Sequence, residues 1–130
     1  MTLPHSLAER IDLAVDRHAS TLRDLALRIH ANPELKFEEF KASAWIAETL
    51  EGAGLVVERG VGGLPTALRS RAGSTGPSIA VLAEYDALPE VGHACGHNLI
   101  ATAALGAYLA IAPFAAELGG TVALIGTPAE

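Results

Sequence analysis

IAVLAEYDALPEVGHACGHN, from Ile79 to Asn98, joins three unlike pieces. An apolar run opens it, a short loop containing Pro89 follows, and two histidines then bracket the protein's single cysteine. Ser78 to Ala83 has the continuous apolar pattern of a strand buried on both faces of a parallel or mixed sheet. It runs into Glu84, Tyr85 and Asp86. Beyond the loop, Leu99 to Ala116 carries no charge and reads as an apolar helix. Thr121 to Gly126, TVALIG, is a second buried strand. Strand, helix and strand form a βαβ unit, whose two strands run parallel. In open α/β sheets a ligand sits beyond the carboxyl ends of the strands. Glu84, Tyr85 and Asp86 on one strand, with Thr127 and Glu130 on the other, therefore converge on a single edge.

The uncharged helix is about the length that spans a bilayer. Its Ala and Gly content, the break at Pro113 and the lack of flanking Lys or Arg favour burial inside a soluble α/β fold instead.

Upstream, Ser6 and Glu9 are spaced as a capping box. Leu7, Ile11, Val15, His18, Leu22, Leu25 and Ile29 recur at helical spacing behind it. That helix should end near Asn32, because a residue before proline disfavours the helical conformation. A second amphipathic helix is expected with Phe37, Phe40, Ala44, Ala47 and Leu50 on one face and a stop at Gly52 and Gly54. Leu55 to Arg59 and Leu64 to Arg71 read as short strands, with Arg69 and Arg71 facing one way. The order α-α-β-β-β-α-β, without internal repeat, makes one α/β unit over residues 1–130.

Half of the 130 residues are apolar, enough for a core, and the formal charge is −6. No Lys/Arg cluster is present, so neither nucleic acid nor an anionic membrane is an expected partner. One cysteine rules out an internal disulfide and fits a reducing, cytoplasmic setting. MTLPHSLAER has no basic segment leading into an apolar run, so no secretory signal is expected.

The chemistry gathers at the sheet edge. Cys95 and His97 are separated by one residue, so both side chains can face one ion in a looped backbone. Thiolate and imidazole suit zinc and are tolerated by manganese, cobalt or nickel. Asp86 could ligate directly, or accept a hydrogen bond from a ligating imidazole and fix its tautomer. Glu130 could take a proton from water. Plainer readings stand beside these. Cys95 can be a small buried hydrophobe, Gly92 and Gly96 turn residues, and His93 a side chain that bonds the loop backbone or polarises a substrate. His5, His18 and His30 read as ordinary helix or helix-end residues.

Four ordered motifs resemble the aminoacylase/carboxypeptidase-G-type metallopeptidase family, in its amidohydrolase branch. They are Ile29-His30-Ala31-Asn32-Pro33-Glu34-Leu35 with Glu39 after it, Glu84-Tyr85-Asp86-Ala87-Leu88-Pro89, Gly92-His93-Ala94-Cys95-Gly96-His97-Asn98, and Gly126-Thr127-Pro128-Ala129-Glu130. The resemblance covers nearly the whole chain. It implies the N-terminal part of a three-layer zinc-peptidase-like catalytic domain, with a mixed sheet and two leading helices. It implies Cys95 and His97 as metal ligands, Asp86 as the acidic residue supporting the site, and Glu130 as general base. The implied cofactor is zinc or manganese, two ions in the whole protein. The implied substrates are small N-acyl amino acids or dipeptides, cleaved at an amide bond by a homodimer.

Glu84 and Asn98 depart from the Asp that many relatives carry at each position. They resemble a subgroup containing p-aminobenzoyl-glutamate hydrolases and cytosolic dipeptidases. The resemblance further implies a second glutamate, later histidine ligands and a dimerising domain outside residues 1–130, so these residues are expected to be a fragment with little activity alone. Two other readings stay open: a non-catalytic metal-binding or interaction piece, and a hydrolase using Cys95 as nucleophile beside His93 or His97.

Overall fold

The computed structural model describes residues 6–130. His5 and the rest of the first five residues lie outside them. Helix α1 (Leu7–Ala31) opens with the expected capping box: Ser6 Oγ accepts from Glu9 N, and Glu9 accepts from Ser6 N. It stops where expected, with Asn32 as C-cap ahead of Pro33. Helix α2 (Phe40–Gly52) starts later than the apolar pattern suggests. Its buried face is Ala42, Ser43, Ile46, Ala47 and Leu50. Phe37 and Phe40 are more than half exposed, against expectation. Phe37 takes a left-handed backbone (φ 63°) and lies outside the helix, while Phe40 opens α2 off the side that Ala42, Ser43, Ile46, Ala47 and Leu50 bury. The Glu34 carboxylate supplies the N-terminal cap, accepting from Lys41 N and Ala42 N.

Strands β1 (Val57–Arg59), β2 (Leu68–Ala72), β3 (Ser78–Glu84) and β4 (Thr121–Thr127) form one mixed sheet in the order β1-β2-β4-β3. β1 and β2 are antiparallel, as are β2 and β4, while β3 and β4 are parallel and pair Glu84 with Thr127 at their carboxyl ends. The βαβ reading therefore holds. β4 is the central buried strand. β3 is not buried on both faces. Among the described residues it is an edge strand paired only with β4, and Ile79 and Leu82 stay 66% and 51% exposed. An apolar run records what a strand can bury, and its neighbours determine what it does bury.

Leu68, Ala83, Val122 and Leu124 share the sheet face that meets the helices, in one core with Leu25, Ile29, Ile46, Leu50, Leu105 and Tyr108. Arg69, Leu82 and Ile125 lie across from one another on the opposite face. There the Arg69 guanidinium pairs with Glu58 and holds its carboxyl below the usual range. Within the described residues, helices cover one sheet face, which is two layers of the three-layer arrangement.

Helix α3 (His97–Ile111) is followed by a 3-10 turn containing Pro113 and a short helix α4 (Ala115–Leu118). Taken together, His97–Leu118 is long and apolar enough to cross a membrane by length and composition. Its packing is that of a core helix: nine α3 residues are buried, and Tyr108 and Leu105 sit in the core under α1 and the sheet.

Both of the protein's tyrosines, Tyr85 and Tyr108, are fully buried. Tyr85 donates to the Thr66 carbonyl, and Tyr108 hydrogen-bonds Ser70. Burial raises both phenol pKa values, and at Tyr85 the carboxylates of Glu39 and Asp86 push further in that direction. A raised folded-state pKa means that the unfolded chain gives up these protons first. The stability tied to the neutral phenols is thus complete below pH about 10 and falls as pH rises beyond it. A spectrophotometric titration should show no tyrosinate until the fold is lost, then both groups appearing together. A gradual rise at ordinary tyrosine pH, with the fold intact, would contradict the packing.

Candidate metal centre at the carboxyl edge of the sheet

The parallel pairing of β3 and β4 leaves Glu84 and Thr127 side by side, and the chain beyond each turns over the same edge. After β3, a tight hairpin bridges Leu88 and Gly92 in both directions. Gly96 then adopts a left-handed conformation (φ 83°) as N-cap of α3, which aims His97 back at the strand end it left. Only glycine takes that conformation without cost.

His97 is the hub. Its Nδ1 lies 2.8 Å from Asp86 Oδ1 and 3.0 Å from the Asp86 carbonyl oxygen. Both are acceptors when Asp86 is ionised, so a proton sits on Nδ1. Nε2 lies 3.1 Å from Glu84 Oε2. The group is largely shielded: the side chains of His97, Asp86 and Glu84 are 13%, 8% and 23% exposed. Asp86 is thus placed to accept from the imidazole, the second of the two arrangements expected for it.

This donor set fits a divalent ion. An imidazole anchored at Nδ1 by a carboxylate presents Nε2 as a more basic ligand. Two ligands bound at about 2.0–2.2 Å to one tetrahedral ion lie roughly 3.3–3.6 Å apart. The Nε2–Oε2 separation of 3.1 Å is a little shorter than that, so the two groups would part slightly around a shared ion. Among the described residues, however, no group of three or more His, Cys, Asp or Glu side chains is placed to hold an ion. The edge provides a pair of donors and their support.

The other expected residues fall out unevenly. Cys95 is exposed, as a free thiol on the loop rather than a packed hydrophobe. It has no hydrogen bond to His93 or His97 among the described residues, so a nucleophile–base dyad is not assembled. Glu130 reaches the edge through its backbone, whose N–H donates to Asp86 Oδ1 at 3.3 Å, and its side chain lies toward solvent. His93 is 7% exposed, and neither ring nitrogen has a hydrogen-bond partner. It does not bond the loop backbone as expected. Burial lowers its pKa, as do His30 and His97, against weaker opposing effects of Asp86 and the Ile29 backbone. The His30 ring stands 6.4 Å away.

Glu84 is the residue at the edge to which sequence reasoning gives no role. Its position two residues before Asp86, on the same side of an extended strand, is the available signal. The first motif also acquires a purpose. The Glu34 carbonyl accepts from Ala87 N, Glu39 accepts from Ala129 N, and Asn98 Nδ2 donates to the Ala26 carbonyl. The α1–α2 region thus ties down the three segments that build the edge.

No family model matches the chain. Among curated proteins, it is 38% identical to a p-aminobenzoyl-glutamate hydrolase chain of Escherichia coli, across 92% of this chain and 29% of the relative. It is 42% identical to the Xaa-Arg dipeptidase of Mus musculus, across 98% of this chain and 32% of the relative. The chain spans about a third of the length of the curated relatives it matches. Among solved structures, a dinuclear metal-binding peptidase of the M20 family from Bacillus subtilis superposes with a TM-score of 0.78 at 30% identity, covering 88% of this chain and 36% of that one. Shared motifs, shared fold and this degree of identity lead to one conclusion: over nearly its whole length the chain is homologous to peptidases of the M20 family, the aminoacylase and carboxypeptidase-G-type metallopeptidases, and it matches about the N-terminal third of them.

Proposed function

We propose that the protein carrying this chain is a metal-dependent hydrolase of amide bonds in small N-acyl amino acids or dipeptides. One observation carries the reading: Asp86 Oδ1 holds both the His97 imidazole and the backbone N–H of Glu130 at the common end of β3 and β4. A candidate ligand and a candidate base thereby share one anchor. The names of the relatives, a hydrolase of p-aminobenzoyl-glutamate and a dipeptidase, support this substrate class.

In this reading Cys95 and His97 hold a divalent ion, zinc or manganese, with Glu84 beside His97 Nε2. Such an ion supplies Lewis acidity, polarising the scissile carbonyl and making a water more acidic. The remaining work belongs to the chain's own groups. Asp86 keeps the His97 proton on Nδ1 and the ring in place. Glu130, at the rim, swings its carboxylate inward to take a proton from the attacking water and return it to the leaving amine. The exposed Cys95 must turn inward by a loop adjustment to join His97.

The test is an assay of the full-length protein with dipeptides and p-aminobenzoyl-glutamate. Activity should vanish on chelation and return with zinc or manganese. Turnover indifferent to chelator would contradict the proposal.

A further inference from the structure

We infer that Glu39 is the positioning residue for Glu130, acting through the backbone of Ala129; this rests on the base role proposed above for Glu130. Glu39 is fully buried. A buried carboxylate persists only where donors satisfy it, and three do. Phe37 N and Ala129 N both donate to Oε1 at 2.9 Å, and Thr66 Oγ1 donates to Oε2 at 2.9 Å. Ala129 comes from a segment 90 residues away in sequence.

The two backbone donors are unusual. Phe37 and Ala129 have φ of 63° and 59°, and they are two of the three non-glycine residues in the left-handed region among those described. A side chain with a Cβ takes that conformation at a cost, so the surrounding structure must hold it there. Here one carboxylate oxygen holds both. The charge-assisted bond from Ala129 N fixes the turn that delivers the next residue. Glu130 N then donates to Asp86 Oδ1. Two consecutive peptide N–H groups are thus clamped by two acidic side chains, Glu39 from beneath and Asp86 from the edge. Without Glu39, Ala129 has no reason to stay left-handed, and Glu130 leaves the line of Asp86 and His97.

The test compares Glu39→Ala, Glu39→Gln and Thr66→Val in the full-length, metal-loaded protein by steady-state kinetics and by amide hydrogen exchange. Glu39→Ala should lower kcat by about 10- to 100-fold, since small misplacement of a catalytic group is costly. KM should barely move, and exchange at Ala129 and Glu130 should quicken by about tenfold. Glu39→Gln keeps a carbonyl oxygen for both backbone donors and turns its amide toward Thr66 Oγ1. Its kcat should stay within about threefold of the parent. Thr66→Val lowers stability while sparing kcat, because the Ala129 bond survives. Should Glu39→Ala not fold, Glu39→Asp, whose shorter side chain cannot span Ala129 and Thr66 together, should show the same two effects. The inference is overturned if the truncated variant that folds keeps parental kcat or parental exchange at Ala129 and Glu130. It is equally overturned if Thr66→Val loses as much kcat. If the parent shows no metal-dependent hydrolysis, the proposed function falls, and the exchange measurement alone still decides the role of Glu39.

Discussion

Replacing Asp86 with alanine is expected to weaken divalent-metal binding by about 10- to 100-fold, the usual consequence of losing a carboxylate behind a ligating histidine. The structure gives two reasons. Asp86 Oδ1 fixes the proton on His97 Nδ1, and its negative charge makes Nε2 more basic. In the alanine variant the ring can rotate, exchange tautomers and lose its alignment with Glu84. The same substitution frees Glu130 N, so kcat should fall further than metal affinity alone explains. Asp86→Asn separates the two contributions. Its amide oxygen can still accept from His97 and Glu130, so it loses the charge but keeps the geometry, and a smaller loss of affinity is expected. Calorimetric titration with zinc and manganese reads both variants. Parental affinity in Asp86→Ala would remove Asp86 from the site.

The second large effect concerns the fold beneath the site. A Cβ at Gly126 would sit 2.6 Å from Leu68 Cγ and 2.8 Å from the Tyr85 hydroxyl. Neither neighbour can yield freely. Leu68 is buried in the core, and Tyr85 is held by its bond to the Thr66 carbonyl. Thr66 in turn bonds Glu39. Gly126→Ala is therefore expected to cost about 1–3 kcal/mol, the range for overpacking a filled core. Denaturant unfolding measures it, with Gly52→Ala as the control. A Cβ at Gly52, the last residue of α2, meets nothing within 4 Å, so alanine there should be neutral or stabilising. Equal stability of Gly126→Ala and the parent would mean that the β2–β4 packing is looser than described. The expected damage also explains why the motif ending in Glu130 begins with glycine: the strand must pass under Tyr85 before its next turn reaches the edge.

Much of the fold is legible from local pattern. The capping box and helical stripe locate α1, TVALIG locates the central strand, and the βαβ unit forces Glu84 to Asp86 and Thr127 to Glu130 onto one edge. Each of those inferences depends on periodicity or on connections too short to allow alternatives. The departures share a different origin. Phe37 and Phe40 fit the α2 face by spacing, yet a left-handed Phe37 lies outside the helix, and backbone conformation is not encoded in hydrophobicity. β3 is apolar throughout, yet composition cannot say how many strands flank it. Glu39 stands in the first motif and Glu84 two residues before Asp86, yet neither position states a role, because their roles depend on partners brought close by folding, Ala129 and Thr66 for one and the His97 ring for the other. The exposure of Cys95 follows from the path of one loop, which no spacing rule contains.

The central claim is that a divalent ion binds at this edge, on His97 Nε2. Anomalous diffraction from crystals of the full-length protein loaded with zinc or manganese tests it directly. The account predicts a peak about 2.0–2.2 Å from His97 Nε2, with Cys95 drawn in beside it and Asp86 still on Nδ1. A metal bound elsewhere, with His97 Nε2 left to Glu84 alone, would contradict it.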